Sequence, residues 1–302
     1  MLRRVINAWG TATPYGVSRS DEAVAAAVAQ MLGRYVVMEE LQALAGERIA
    51  RWSGAPAACV THCTAAGVTL AVAACMAGSD VARIARLPDA TGMAHRVVLL
   101  AGHQVNYGQP IVQAVRLAGA MPVVCTDLDE ARAAARLPGT AAVLAVESHL
   151  APGSGAATTA ALAQVARAAG VPLILDAAAQ DLRVSELVTG GADLVLVSAQ
   201  KYLRAPTAGL VMGRADLVAA VQAQQGAIRM ARQHPAGSEA EDFSVPARHG
   251  AQVTRAGLTK PCGCAALKWP AIRPRDAPRA PALRNCRSPP ISPASGRCRR
   301  GR

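Results

Sequence analysis

Aromatic side chains are scarce in this sequence, and that scarcity decides how its core can be built. Phe, Trp and Tyr make up only 3% of the 302 residues, whereas 52% of the residues are hydrophobic, mostly alanine and valine. Such small side chains suit close packing of helices against a sheet. This much apolar surface excludes intrinsic disorder over most of the chain, and the length allows one large domain or two smaller ones.

Targeting segments and metal-ligand patterns are also missing. The N-terminus has no sustained apolar run, which argues against a signal peptide. The eight cysteines lack the spacing of a metal site, so we expect free thiols in a reducing cytoplasm and no bound metal. The apolar stretch from Cys59 to Gly78 contains His62 and is rich in alanine, which favours a buried helix over a membrane span.

The net charge of +12 is concentrated at one end of the chain. Residues 260–302 contain eleven Lys and Arg but one acid, Asp276, so the other 259 residues have a net charge of only +2. This segment is also rich in proline, and we expect a disordered basic tail at 260–302 after an irregular segment at 229–259. The predicted folded domain is therefore residues 1–228, and its near-neutral charge argues against a nucleic-acid reader.

Short apolar runs alternate with helical patterns from Arg96 onward. The runs are RVVLLAG, MPVVCT, AAVLAVE, VPLILDA and ADLVLVSA, and helical segments lie between most of them. Helices are also predicted at Asp21–Leu32, with Ser20 as N-cap, and at Glu39–Trp52. This order is typical of an α/β fold whose mostly parallel sheet is covered on both faces.

Lys201 is the only lysine before the tail, since the chain's other two are Lys260 and Lys268. Arginine serves elsewhere, which suggests that position 201 needs an amine able to lose its proton. Lys201 follows the strand ADLVLVSA, and in open parallel sheets ligands bind at the carboxyl ends of strands. A primary amine at that edge can form a Schiff base with an aldehyde cofactor.

Other polar residues follow neighbouring strands. Asp176 ends VPLILD, 25 residues before Lys201, which predicts adjacent strands facing one crevice. The turn around Cys63 and Thr64 opens a helix, where backbone N–H groups bind phosphate and the Thr64 hydroxyl can assist. His103 could stack on a cofactor ring, although a solvated loop histidine is the commoner case. The cluster Glu147-Ser148-His149 could touch a cofactor or substrate.

Taken in order, these motifs resemble a known enzyme group. They are INAWGT, CVTHCTAAGVTLAVAACMAG, LPDATGM, GHQVNYG, the strand ending in Asp176, and SAQKYLRAPTAGLVMGR around Lys201. The set resembles the selenocysteine synthase (L-seryl-tRNA selenium transferase)-like family of pyridoxal 5′-phosphate (PLP) enzymes. The resemblance spans residues 5–228 and is strongest to the branch that includes D-glucosaminate-6-phosphate ammonia-lyase.

The resemblance implies a fold, a cofactor and a set of site residues. The fold is the large domain of fold-type I (aspartate aminotransferase-like) PLP transferases, and Lys201 matches the lysine that carries PLP. Asp176 matches the partner of the pyridine nitrogen and His103 the ring-stacking region. Cys63, Thr64 and Ser198 match phosphate contacts. The family is cytoplasmic and forms homodimers or larger homo-oligomers, with sites completed across subunits.

The two ends of the chain are expected to differ from the pattern of this family. INAWGT begins at Ile6, which leaves no room for the N-terminal domain that helps selenocysteine synthases hold tRNA, so tRNA is not the expected substrate. The small C-terminal domain is expected to be absent or replaced by the disordered tail. We attribute this replacement to a frameshift starting between about Gly226 and Lys260.

The expected activity is removal of an α-proton from a small amino-acid-like substrate, then β-elimination or β-replacement. That is the chemistry of a lyase or of a selenium or sulfur transferase. Two alternatives remain open. One is a catalytically impaired PLP-fold protein with a truncated C-terminal domain, and the other is a basic-tailed nucleic-acid-binding protein.

Overall fold

The computed structural model describes residues 2–228 apart from 152, 154, 181 and 182. The expectations for segments 229–259 and 260–302, including the replaced C-terminal domain, lie outside the described residues.

A single seven-stranded sheet runs through the described part of the chain. Its strands are β1 Ala57–Thr61, β2 Arg96–Leu100, β3 Met121–Cys125, β4 Thr140–Val146, β5 Leu173–Asp176, β6 Leu194–Ser198 and β7 Gly209–Gly213. They are arranged in the order β1-β7-β6-β5-β4-β2-β3. The pairs β6–β5, β5–β4, β4–β2 and β2–β3 are parallel, and β7 is antiparallel to both β6 and β1. This arrangement confirms the predicted α/β class with a mostly parallel sheet.

Helices cover both faces of the sheet. The described helices are α1 Glu22–Leu32, α2 Met38–Ser53, α3 Thr64–Ala77, α4 Val81–Arg86, α5 Ile111–Leu117, α6 Leu128–Ala135, α7 Ala156–Ala169, α8 Val184–Thr189, α9 Ala199–Tyr202 and α10 Ala215–Ile228. One core packs α3, α5 and α10 against the sheet, and a second core packs α6, α7 and α8 against the opposite face. Because both faces are covered, strands β4 to β7 are buried along their whole length, which explains their largely apolar sequences.

The alanine-rich stretch after β1 forms helix α3, and most of its residues are buried against the sheet. Its small side chains permit a close approach, since a Cβ at Gly67 would lie 3.0 Å from Leu196 Cδ2 and 3.1 Å from Thr61 Oγ1. The buried helix predicted there is confirmed. No described helix has the length and apolarity that crossing a membrane requires.

The N-cap predicted for α1 is wrong by one residue. Asp21, rather than Ser20, caps the helix, and its carboxylate accepts a hydrogen bond from the Val24 N–H at 2.9 Å. The Ser20 hydroxyl instead donates to the carbonyl of Arg204 at 2.8 Å, across the fold. Ser20, which local propensity favoured as the N-cap, therefore makes a long-range hydrogen bond to Arg204 instead.

Candidate active site

Asp176 and Lys201 follow adjacent parallel strands and meet at one edge of the sheet. Asp176 is the last residue of β5, which pairs with β6, and Lys201 lies in α9 directly after β6. Each affects the ionisation of the other, because the Lys201 charge acts on Asp176 and the Asp176 charge acts on Lys201. The expectation that the two residues lie on adjacent strands is therefore confirmed, and their sharing of one cofactor crevice stays a prediction.

Asp176 is a buried carboxyl group. Burial raises its pKa, while a hydrogen bond from the Ala178 N–H at 2.9 Å and the Lys201 charge oppose that rise. A buried carboxylate is costly unless a positive group pairs with it. Asp176 therefore gives this edge of the sheet a strong preference for a cationic partner.

Lys201 is half-buried and sits in the one-turn helix α9. The Ser198 hydroxyl caps this helix by accepting a hydrogen bond from the Lys201 N–H at 3.2 Å. Burial lowers the pKa of the Lys201 amine, and the Asp176 carboxylate opposes that change. A lowered pKa increases the neutral fraction of the amine, which is the nucleophilic and basic form.

The turn before α3 brings backbone, a thiol and a hydroxyl to the same edge. Cys63 is the N-cap, and its Sγ accepts a hydrogen bond from the Ala66 N–H at 3.4 Å. Thr64 is 8% exposed, and its Oγ1 is buried without a hydrogen-bond partner. Gly209 of β7 lies against this turn so closely that a Cβ there would be 2.6 Å from the Cys63 carbonyl carbon.

His103 follows β2 and is buried, so the solvated-loop interpretation is wrong. Its Nδ1 accepts a hydrogen bond from the Val146 N–H at 3.1 Å, which places the ring proton on Nε2. Burial lowers the pKa of His103 and so favours this neutral form. The pairing of β2 with β4 positions the imidazole, because His103 follows β2 and the Val146 N–H that donates to it is at the end of β4.

Thr64 Oγ1 and His103 Nε2 share a property. Within the residues that the structure describes, they are the two buried side-chain polar atoms without a hydrogen-bond partner. Buried polar atoms are almost always paired in proteins, so each exception calls for a specific explanation. Both belong to residues that the sequence predicted for a cofactor site.

Tyr107 is a site residue that the sequence reasoning missed. Its ring centroid lies 5.1 Å from Lys201 Nζ, within the range of a cation–π interaction. Its hydroxyl makes a short hydrogen bond with the hydroxyl of Ser148. The available signal was position, since Tyr107 stands in the GHQVNYG motif after β2 in a chain with only four tyrosines.

The three residues of the cluster Glu147-Ser148-His149, which follows β4, have different surroundings. Ser148 is buried and reaches Tyr107, whereas His149 is exposed. Glu147 is buried and accepts a hydrogen bond from the Thr159 hydroxyl at 2.7 Å, which ties β4 to helix α7. The expectation that the cluster touches a cofactor or substrate stays a prediction.

The N-terminal segment is fastened to the turn that carries Lys201. The Ser18 hydroxyl donates to the Gln200 carbonyl, and the Ser20 hydroxyl donates to the Arg204 carbonyl. Arg204 has a φ of 55°, a left-handed conformation unusual for arginine. Sequence reasoning missed these contacts because they join residues more than 180 positions apart.

Two curated proteins are similar to this chain. A D-glucosaminate-6-phosphate ammonia lyase from Salmonella typhimurium is 40% identical over 238 residues, which are 76% of this chain and 63% of that protein. A 5′-C-glycyluridine monooxygenase-decarboxylase from a Streptomyces species is 37% identical over 231 residues, which are 74% of this chain and 57% of that protein. The chain thus spans less than two thirds of the length of either relative, and no protein-family model matches it.

The solved structure of a D-glucosaminate-6-phosphate ammonia-lyase superposes on this chain. The TM-score is 0.71 with 38% sequence identity, covering 74% of this chain and 62% of that one. This match confirms the fold expected from the motifs, the large domain of the fold-type I class.

Proposed function

Because this chain is a homologue of D-glucosaminate-6-phosphate ammonia lyase along three quarters of its length, we propose that it is a PLP-dependent lyase. Its substrate is a small amino-acid-like molecule. One observation carries the proposal. The two unpartnered buried polar atoms of the described residues, Thr64 Oγ1 and His103 Nε2, lie in two residues matched to cofactor contacts.

The residues at this edge of the sheet fit PLP group by group. The N-terminus of α3 suits a phosphate, because its backbone N–H groups and the unpartnered Thr64 hydroxyl are donors. Cys63 and Ser198 complete the proposed phosphate site. The buried Asp176 carboxylate suits a protonated pyridine nitrogen, since a cation relieves the cost of its burial. The imidazole of His103 is the proposed stacking partner of the cofactor ring.

PLP, when bound, withdraws electrons from the carbon that carries the substrate amine. Lys201 both anchors the cofactor and, once free, takes the proton from that carbon at Nζ. A general base needs its neutral form near the working pH, and burial of Lys201 lowers the amine pKa in that direction. Asp176 would hold the positive charge of the protonated pyridine nitrogen.

The proposed reaction then continues by loss of the substituent on the neighbouring carbon. Elimination is favoured over replacement because the similarity to an ammonia lyase covers three quarters of this chain. Amino-sugar acids, with or without a phosphate, are the first substrates to screen. Oxygen-dependent decarboxylation is the second candidate, on the 37% identity to the monooxygenase-decarboxylase. Assays for ammonia release with and without oxygen separate the two.

The first experiment is a visible absorption spectrum of the purified chain with added PLP, before and after borohydride. We expect a band that borohydride bleaches, and a cofactor adduct on the peptide that contains Lys201. The variant Lys201→Ala should show neither, whereas Lys268→Ala, the matched control, should behave like the wild type. A folded wild-type chain without the band, or a Lys201→Ala variant that keeps it, contradicts the proposal.

The proposed assembly is a homo-oligomer. The N-terminal segment and α1 expose large apolar side chains, including Ile6, Trp9 and Leu32, and no residue of α1 is buried. A second copy of the chain is the proposed cover for this surface. Light scattering on the eluting peak of a size-exclusion column should give at least twice the 31.0 kDa of one chain. A monomer at micromolar concentration contradicts this part of the proposal.

A further inference from the structure

The backbone around Tyr107 forms a turn that is stabilised by its own local contacts. Asn106 Oδ1 accepts a hydrogen bond from the Gly108 N–H at 3.0 Å, and Asn106 forms an antiparallel bridge with Pro110. Gly108 has a φ of 108°, which only glycine adopts easily. The backbone that carries Tyr107 is therefore set by local contacts that do not involve Lys201.

The ring of Tyr107 is oriented by a second contact. Its hydroxyl hydrogen-bonds to Ser148, which is buried at the end of β4 and also accepts a hydrogen bond from the Leu150 N–H at 3.0 Å. With one end held by the turn and the other by Ser148, the ring presents its face to Lys201 Nζ at 5.1 Å from the centroid. At this distance an ammonium group is attracted by the negative face of an aromatic ring.

We propose that Tyr107 is the positioning residue for the free amine of Lys201, whose ammonium form rests on the tyrosine ring while Ser148 holds that ring in place. The inference rests on the proposed role of Lys201 in anchoring the cofactor and moving the substrate proton. Among the described residues, two titratable side chains act on the amine, Asp176 from β5 and Tyr107 from the loop after β2. Burial favours the neutral amine, and both side chains favour the ammonium form.

The contact has a consequence for proton transfer. An amine that takes a proton from the substrate becomes an ammonium group, and the Tyr107 ring stabilises the amine only in that form. The ring therefore increases the proton affinity of Lys201 and keeps Nζ near one position. Removing the ring should leave an amine that is more often neutral and less well placed.

The pKa of the Lys201 amine can be measured by chemical labelling, because acetic anhydride labels neutral amines and the chain has only three lysines. The full-length chain without cofactor is labelled across a range of pH, and peptide mass spectrometry follows each lysine. In Tyr107→Leu we expect the Lys201 pKa to fall by about 0.5 to 1 unit, which raises its labelling below the midpoint by about three- to tenfold. A change in accessibility alone raises labelling at every pH and leaves the midpoint in place.

Two further variants test the ring and its support separately. Tyr107→Phe keeps an aromatic face and should keep most of the wild-type midpoint, whereas Tyr107→Met should behave like Tyr107→Leu and replaces it if that variant does not fold. Tyr35→Leu, which removes an exposed tyrosine outside the site, is the matched control and should leave Lys201 unchanged. Lys260 and Lys268 serve as references within each sample.

Two results would overturn the inference. One is an unchanged Lys201 midpoint in the variants without a ring, and the other is a Tyr107→Phe variant as strongly shifted as Tyr107→Leu. Both leave the PLP proposal intact as long as the wild-type chain shows the band that borohydride bleaches. Absence of that band in the wild type counts against the proposed function and not against the Tyr107 contact, since labelling is done without cofactor.

Discussion

At the scale of single residues, Asp176 sets the electrostatics of the proposed site at the expense of stability. Its pKa is raised by burial, so the native chain binds this proton more tightly than the unfolded chain does. The stabilising effect of the bound proton is complete below the unfolded pKa of about 4 and is lost as pH rises through the native value. At neutral pH the buried carboxyl group therefore contributes less to the free energy of unfolding of the cofactor-free chain than it does at low pH.

Replacing Asp176 by asparagine should stabilise the cofactor-free chain at neutral pH. Asparagine keeps an oxygen for the Ala178 N–H and removes the buried charge. We expect the free energy of unfolding at pH 7 to rise by about 1 kcal/mol, with a smaller gain at pH 4, and turnover to fall by about 10²-fold or more. Urea titration at the two pH values measures the first effect. Asp129→Asn, at an exposed carboxylate, is the control, and an Asp176→Asn variant less stable than wild type at pH 7 would disprove the prediction.

His103 combines a ring with a hydrogen-bond acceptor, and His103→Phe separates the two. The variant leaves the buried Val146 N–H without its acceptor, so we expect a loss of about 1 to 3 kcal/mol at pH 7.5. If the ring stacks on the cofactor, the PLP dissociation constant should change much less than in His103→Ala. Urea unfolding and absorbance titration measure these quantities, and His149→Phe at an exposed position is the control.

The same variant has a signature in its pH dependence. The pKa of His103 is lowered by burial, so its contribution to stability is complete above the unfolded pKa of about 6.5 and is lost as pH falls through the native value. Only the wild type has this loss, so the stability gap between it and His103→Phe should narrow between pH 7.5 and pH 5. A gap that stays constant would mean that His103 is not buried in its neutral form.

Residue by residue, the sequence predicted those site members whose positions follow from strand order. Asp176 and Lys201 were placed because the carboxyl ends of neighbouring parallel strands meet at one edge. Ser148 was noted as part of the polar cluster after β4, but its hydrogen bond to Tyr107 was not predicted. The contact of the Tyr107 ring with Lys201 depends on the conformation of the turn at Asn106. Sequence periodicity carries no information about a turn of that kind.

At the scale of elements, the alternation of apolar runs and helical patterns predicted a mostly parallel sheet but did not identify β7 as an antiparallel strand. Strands β6 and β7 are antiparallel, and the short connection between Ser198 and Gly209 explains it. A parallel pair needs a crossover of a dozen or more residues. The spacing in the sequence therefore contained the direction of β7, whereas the cap of α1 depended on a contact with Arg204 that no local pattern reveals.

Gly209 of β7 lies against β1, β6 and the turn before α3, and there is no space for a side chain at this position. It pairs with Thr61 of β1 and with Ser198 of β6, and a Cβ would lie 2.7 Å from Thr61 Oγ1. Because that Cβ would also meet the backbone of Cys63, the turn before α3 must shift to accommodate it.

Gly209→Ala should therefore lower the free energy of unfolding by about 1 to 3 kcal/mol and weaken PLP binding. Gly226→Ala is the matched control, since a Cβ there meets nothing within 4 Å. Alanine is also the better helix former, so this control should gain about 0.5 to 1 kcal/mol. Thermal unfolding and PLP titration of both variants give the comparison. Equal stability of the two variants would contradict the close approach at Gly209.

At the scale of the whole molecule, the fold narrows the chemistry without fixing the reaction. The two similar curated proteins are named for an ammonia lyase and a monooxygenase-decarboxylase, and both align with three quarters of this chain. One scaffold that positions a cofactor can serve several reactions, because the reaction depends on the groups around the substrate. The motifs of the sequence predicted the fold and the cofactor site, but the bond that breaks depends on groups beyond those motifs.

The uneven charge of the chain leads to a last prediction. Residues 260–302 carry eleven of the 32 Lys and Arg residues with one acid, while the remainder has a net charge of +2. Non-specific nucleic-acid binding depends on counterion release by basic side chains, so the full chain should bind single-stranded RNA with a Kd of about 10⁻⁵ M at moderate salt. With about five phosphate contacts, log K should fall with log salt at a slope near −3.5.

A chain of residues 1–259 should lose this binding and keep the PLP band. A full-length chain with the nine arginines of 260–302 changed to glutamine should do the same. Fluorescence anisotropy measures the binding. If residues 1–259 bind RNA as tightly as the full chain, a basic surface on the folded domain is responsible, and the separation of charge from the enzyme fold is wrong.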